Sequence, residues 1–216
     1  TDLTVDNVNF HDWNKNAIDA VTGGGAGTNG GVIDLIVKNS TFTGAGDTGV
    51  IAQNGILAWE QGGGTVNLTV DNDTFSGLSF NDPNTATATG VLAYGVANGT
   101  VTVKNSTFDG SVQEYISTAG GTVHEVDATE NNSFDGVTAD AASLDDLYAI
   151  ENKMTHGTDD TSNGLVRIKS GNVYVTEDKD DLQNAIDVAS AGDTVNVQAG
   201  QYTGSREVLQ AMQGWL

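Results

Sequence analysis

An all-β solenoid, a chain wound into stacked coils of short strands, is the fold class this sequence predicts. Three observations predict it. Five segments share one register: Leu3–Phe10, Leu35–Phe42, Leu68–Phe75, Val101–Phe108 and a worn copy, Asp127–Phe134. Their phenylalanines are 32, 33, 33 and 26 residues apart, and a period of this size means one supersecondary unit repeated and stacked. Within a segment apolar and polar residues alternate, as a half-buried strand requires. The composition, 28 glycines and one proline in 216 residues, suits strands joined by tight turns.

The elements follow in order. In each copy Val37, Val70 and Val103 point one way while Lys38, Asp71 and Lys104 point the other. These runs are too short and too β-branched for helix. Further strand signals lie at Ala17–Val21, Gly55–Trp59 and Gly90–Tyr94. A glycine stands two residues after the phenylalanine in four copies (Gly44, Gly77, Gly110, Gly136), where a turn needs freedom from Cβ clashes. The first copy has Asp12 there. A unit of two or three strands without a helix closes as one coil, and stacked coils place equivalent residues about 4.8 Å apart. Phe10, Phe42, Phe75, Phe108 and Phe134 are then expected to form an internal aromatic stack. Asn7, Asn39, Asn72, Asn105 and Asn131 are expected to form an internal amide ladder. Several of these asparagines begin Asn-x-Ser/Thr triplets, an accidental match if the ladder is internal. The row Asp6, Lys38, Asp71, Lys104, Glu130 alternates in sign, which favours correct register by about 0.2–1 kcal/mol per pair.

The rhythm stops near Gly136. Residues 1–138 are read as the coils, 139–180 as a connector, 181–204 as a cap and 205–216 as a tail. In the connector, Ser143–Met154 reads as a helix with Ser143 as N-cap and Leu144, Leu147, Ile150 and Met154 on one face. Leu165–Lys169 and Asn172–Thr176 read as a hairpin about Ser170-Gly171. Asp181–Ala189 reads as a second helix with Leu182, Ile186 and Ala189 inward, followed by the strand around Val195 and Val197.

The V-x-N-x-x-F coils resemble the right-handed parallel β-helix of the pectin-lyase-like superfamily. The run LQNAIDVASAGDTVNVQAGQYTG, from Leu182, looks like the opening of such a fold. The resemblance implies that an amphipathic helix covers the open end of the barrel and that the next strand is the first coil. Such a cap belongs before the coils, yet here it follows them. Three arrangements account for that: a chain cut from a tandem array, a cap folded back over the Thr1 end, or a cap on a neighbouring subunit that links copies head to tail. The chain also begins inside a repeat, which reads as a processed product or an excised fragment.

The fold hosts lyases, hydrolases, epimerases, phage tailspikes and adhesins, so the chemistry must come from the residues. The formal charge is −21, with 29 acidic and 8 basic side chains, a field that repels nucleic acid and anionic membranes. There is no cysteine, which removes disulfides and thiolate sites. No apolar run approaches the roughly 18 residues of a membrane span. Lyase chemistry of the family's kind needs an Arg or Lys base on a strand face. Arg167 and Arg206 lie outside the coils, and Lys38 and Lys104 belong to the charge row. Inverting hydrolysis needs two carboxylates roughly 6.5–9.5 Å apart; Asp19 with Asp34, and Asp12 with Asp47, are conceivable pairs. Asn81-Asp82-Pro83-Asn84 is similar to the Asp-Pro element of alginate epimerases but lacks the Tyr-Gly before it and the His after it. His11, His124 and His156 have no ligand spacing.

No residue is assigned a catalytic role on this reading, and no cofactor is expected beyond calcium. Calcium is the cation that the oxygen-rich loops would take, at Asp47 and at Asp159 and Asp160. Trp59 and Tyr94, at equivalent places in successive copies, form either a sugar-binding strip or an inward stack completing the core. The expected protein is a secreted or cell-surface structural or adhesive module. Its partners would be glycans, or its own kind joined head to tail. The rival is a carbohydrate-active enzyme, and a third reading, a phage tail-fibre segment, predicts a trimer.

Overall fold

A computed structural model describes residues 1–23, 30–81, 87–122 and 124–202. The chain is predominantly β, and nearly every strand pair is parallel. The first tier supplies β1 (Asp2–Asp6), β2 (Asn9–His11) and β3 (Asn16–Thr22). The second supplies β4 (Val32–Lys38), β5 (Thr41–Thr43) and β6 (Asn54–Glu60), and the third β7 (Thr65–Asp71), β8 (Thr74–Ser76) and β9 (Thr89–Tyr94). The fourth supplies β10 (Thr100–Lys104), β11 (Thr107–Phe108) and β12 (Glu114–Ala119). Then come β13 (Val126–Glu130), β14 (Ser133–Phe134), β15 (Val137–Thr138), α1 (Leu144–Glu151), β16 (Met154–Thr155) and β17 (Val166–Arg167). The chain continues through β18 (Asn172–Val175), α2 (Leu182–Val188) and β19 (Thr194–Val197).

Every third strand joins the same sheet. One sheet runs β1-β4-β7-β10-β13-β17, a second β2-β5-β8-β11-β14 with β15 added antiparallel, and a third β3-β6-β9-β12-β16. This succession is compatible with a β-helix. The register is set by the sequence copies: Val5, Val37, Val70 and Val103 are successive partners in the first sheet, as Phe10, Phe42, Phe75, Phe108 and Phe134 are in the second. The inward side chains of all three sheets fill one apolar core.

The phenylalanine rings lie 4.7 Å apart from Phe10 through Phe108, within 9° of parallel. That spacing equals the separation of paired strands, so ring stacking and backbone pairing are satisfied together. Two glycines make room for the rings. A Cβ on Gly55 would stand 2.8 Å from the Phe75 ring, and one on Gly90 would stand 2.7 Å from Phe108. One tier on, Tyr115 occupies the equivalent place, and the Phe108–Phe134 separation opens to 5.5 Å beside it.

The asparagine row differs from the sequence expectation. Asn7, Asn39, Asn72, Asn105 and Asn131 have φ between 51° and 62° and form the corner between the first two sheets. They face outward, not inward, because a residue in the left-handed region turns the chain and throws its side chain to solvent; Asn tolerates that region better than most residues. Asn72 donates to Asn39 Oδ1 at 2.8 Å, but Asn39 and Asn105 donate to Asp6 and Asp71, each at 2.8 Å. The buried ladder is the next residue along. Val8 N–H donates to Ser40 Oγ (3.1 Å), Ser40 N–H to Asp73 Oδ1 (2.7 Å), Asp73 N–H to Ser106 Oγ (3.1 Å) and Ser106 N–H to Asn132 Oδ1 (3.0 Å). Each side chain thus satisfies a corner N–H of the tier before it.

The C-terminal third corrects three expectations. Leu165–Thr176 is not a hairpin: β17 pairs with β13 and β18 with β19, both parallel. The capping unit does not fold back over Thr1. β17 and β16 add to the edges opposite β1 and β3, so the unit extends the far end of the stack. The helix faces are also turned. Ser143 caps α1 in a reciprocal capping box with Asp146, and Leu147 and Ile150 are buried, but Leu144 is 48% exposed. In α2, capped by Asp181, Ala185 is the buried residue and Ile186 is 44% exposed. Leu182, Ala185, Val188 and Ala189 face Leu165, Val173 and Val175, a helical stripe that leaves position 186 outside. The 205–216 tail lies outside the described residues.

Candidate functional site

The third sheet carries the one aromatic feature on an outer face among the described residues. In β6 and β9, Ile56, Ala58, Val91 and Ala93 point into the core, so Leu57, Trp59, Leu92 and Tyr94 point out. Trp59 and Tyr94 are register partners whose ring centroids are 5.3 Å apart at 74°. Trp59 is half-buried and Tyr94 is 40% exposed. The inward-stack reading of this pair is therefore wrong, because strand alternation puts it on the opposite face from the phenylalanines.

The pair borders a groove of about 380 Å³ whose other walls are Lys15, Asn16, Ala52, Asn54, Leu57, Thr87 and Leu92. Its polar side is ordered by amides. Asn54 Nδ2 donates to Asn16 Oδ1 (2.9 Å), and Asn16 Nδ2 donates to Asp19 Oδ1 (2.6 Å). The Asn54 Oδ1 accepts the Thr89 N–H at 3.2 Å, which locks that side chain to the next tier. Tyr94 is seated by Gly120, where φ is +66° and a Cβ would stand 2.6 Å from the ring. The groove thus has a fixed aromatic and aliphatic floor, an amide and hydroxyl rim and the Lys15 ammonium at its edge. Such a surface can hold a ring with one apolar face and equatorial polar groups.

The other candidates are not gathered into a site. Asp19 and Asp34 lie on different sheets and accept from different amides, Asn16 and Asn67. Asp12 pairs with His11 at 2.7 Å, and Asp47 Oδ1 accepts the Gly49 N–H at 3.0 Å. Asp159 Oδ2 accepts the His156 N–H at 2.8 Å and Asp160 Oδ1 the Ser162 N–H at 2.9 Å, so each carboxylate serves its own turn. Among the described residues no three His, Asp or Glu side chains are placed together to hold a metal ion. Lys38 and Lys104 sit 3.3 Å from Asp6 and 3.6 Å from Asp71. Residues 82–84 of the Asp-Pro element lie outside the described residues. No described helix is long and apolar enough to cross a membrane.

Sequence reasoning missed four buried acids among the described residues: Glu60, Asp73, Glu114 and Glu151. Glu60 accepts the N–H groups of Val66 (2.8 Å), Ala97 (2.7 Å) and Asn98 (2.8 Å), stapling two corners. Asp73 is pushed up to about 6 by burial, helped by the charges of Asp71 and Asp6 and opposed by the N–H groups of Ser40 and Asp71. Its place was legible: Ser40, Asp73, Ser106 and Asn132 each follow a ladder asparagine. Glu151 pairs with His156 and left no periodic trace. No family model, curated protein or solved structure matches the chain.

Proposed function

We propose that this chain is a structural and adhesive module of a secreted or cell-surface protein. In this reading it is a right-handed parallel β-helix of pectin-lyase-like kind, and its third sheet binds glycans. The observation that carries the reading is the Trp59–Tyr94 pair, turned outward over a groove with ordered amides. Aromatic rings beside hydrogen-bonding amides suit the two faces of a sugar ring. Among the described residues no carboxylate lines the groove, and Asp19 beside it accepts from Asn16. Extension is the second element. Among the described residues β1, β2 and β3 stand at one edge of their sheets, and Leu3 and Val8 are exposed there. At the far end β19 is an edge strand, with Val197 and Ile186 exposed. Open parallel edges and apolar side chains at both ends favour head-to-tail stacking with a further module or copy.

The binding element is tested by screening the whole chain against immobilised neutral and acidic glycans, with Trp59→Ala and Tyr94→Ala beside it. Saturable binding that drops at least about tenfold in either variant supports the groove. Binding that both variants retain, or no binding to any glycan, rejects it.

A further inference from the structure

The C-terminal unit is tied together by polar and charged groups gathered around one buried pair. His156 Nε2 lies 2.6 Å from Glu151 Oε1, and the two side chains are 1% and 2% exposed. Thr158 donates its hydroxyl to Asp180 Oδ1 at 2.8 Å and lies 3.4 Å from Glu151 Oε1. Asp180 Oδ2 accepts the N–H (2.7 Å) and hydroxyl (2.8 Å) of Thr176, just beyond β18. Asp159 Oδ2 accepts the His156 N–H, and its carbonyl accepts from Asn184 Nδ2 of α2 at 3.0 Å. Lys179 donates to the Met154 carbonyl of β16, and its ammonium stands 3.7 Å from Glu114 Oε1 of β12. Five elements therefore meet at one loop: α1, β16, β18, α2 and, through Lys179, the last full strand of the third sheet.

The charges facing this loop are three carboxylates, Glu151, Asp159 and Asp180, with Lys179 as the fixed cation and Glu114 behind it. Tyr148 and Tyr174 pack edge to face beside them, and burial raises both phenols above the ordinary value. With a neutral imidazole, three negative charges face one positive charge around a histidine that is itself shut off from water, a costly excess. One proton held by the His156–Glu151 pair reduces it. His156 Nδ1 has no hydrogen-bond partner among the described residues, so the ring acts through Nε2.

We infer that His156 and Glu151 form a proton-dependent latch on the C-terminal unit, shut while the pair carries its proton and loosened in alkali when that proton leaves. Burial alone would strip the proton from His156, but the charge and hydrogen bond of Glu151 override it, and the pair binds its proton more firmly than a free imidazole. Burial also lifts Glu151, and it holds Asp159 up at about 6 against the pull of Lys179. All three shifts are upward. The folded site therefore binds protons more readily than the unfolded chain. The contribution of His156 is complete below about 6.5, the ordinary imidazole value, and is lost as pH rises through its folded value. Acid keeps the latch shut.

The test uses the whole chain. Imidazole carbon shifts followed by NMR from pH 5 to 10 should show His156 losing its proton at a higher pH than a model-peptide imidazole does. Exchange of the Thr158 and Asp181 amides, corrected for intrinsic chemistry, should speed up about tenfold per pH unit above the folded value, while the Val37 and Val70 amides stay unchanged. In His156→Gln, which keeps a donor but does not titrate, that pH dependence should vanish. If this variant fails to fold, the two wild-type curves decide the matter. A His156 ring already neutral at pH 6.5, or a unit whose exchange is indifferent to pH or faster in acid, overturns the latch.

Discussion

The four stacked tiers and the C-terminal unit solve the same problem by different means. In the tiers, one solution is copied. The same phenylalanine, corner asparagine and buried polar residue recur at strand spacing, so each contact is made several times. In the C-terminal unit every contact is made once: a capping box, a buried His–Glu pair, and Arg167 held 2.8 Å from Glu125 and 2.9 Å from Asp193. Repetition gives a region that tolerates damage to one copy of a surface contact and spreads damage to the core. Unique contacts give a region that fails locally.

The largest expected effect tests that contrast in the core. Phe75→Ala leaves a void in the middle of the ring stack and should cost about 3–5 kcal/mol in urea unfolding, in one cooperative transition. Phe10→Ala, at the open end where the ring is half-buried, should cost clearly less. Next is Glu151→Ala. It strands the buried His156, and removing one partner of a buried pair costs about 3 kcal/mol or more. Here exchange protection should fall in residues 144–188 and stay intact at Val37 and Val70. Loss of protection throughout would show that the two regions fold as one unit.

Asp73→Ser comes third and has the opposite sign. The folded value of Asp73 is raised, so its ionisation weakens the fold as pH rises from about 4 through 6. Serine is what the neighbouring tiers already use, and Ser40 and Ser106 also donate to Lys38 and Lys104 carbonyls at 2.9 and 2.8 Å. The variant should unfold at higher urea than the wild type at pH 7, and the gain should disappear below pH 4. The smallest effect belongs to the exposed charge row. Lys104→Ala should cost about 0.2–1 kcal/mol at low salt and nothing measurable in 1 M salt.

The same contrast explains what was legible in the sequence. Parallel strands, register, the ring stack and the charge row all rest on positions that recur every 33 residues or so, and recurrence is visible without coordinates. The outward turn of the asparagine row is not legible, because a corner residue and a core residue share the same period; only the φ near +55° separates them. Trp59 and Tyr94 were found by that period too, but their outward direction depends on strand parity counted from Ile56 and Ala58. The pairing of β18 with β19 was hidden because a Ser-Gly turn between two β-rich runs is the ordinary mark of a hairpin, and nothing local shows that each run pairs elsewhere. Glu60, Glu151 and His156 take partners from up to 38 residues away, at intervals used once.

The central claim is that the outer face of the third sheet binds a glycan and does not transform it. The most direct measurement is calorimetric titration of the whole chain with a glycan selected by the screen, followed by mass spectrometry of that glycan after long incubation at saturation. The account predicts a saturable heat that Trp59→Ala or Tyr94→Ala reduces at least about tenfold in affinity, with the glycan recovered unchanged. Shortened, unsaturated or epimerised product made by the wild-type chain would contradict it and make the third sheet the face of an enzyme.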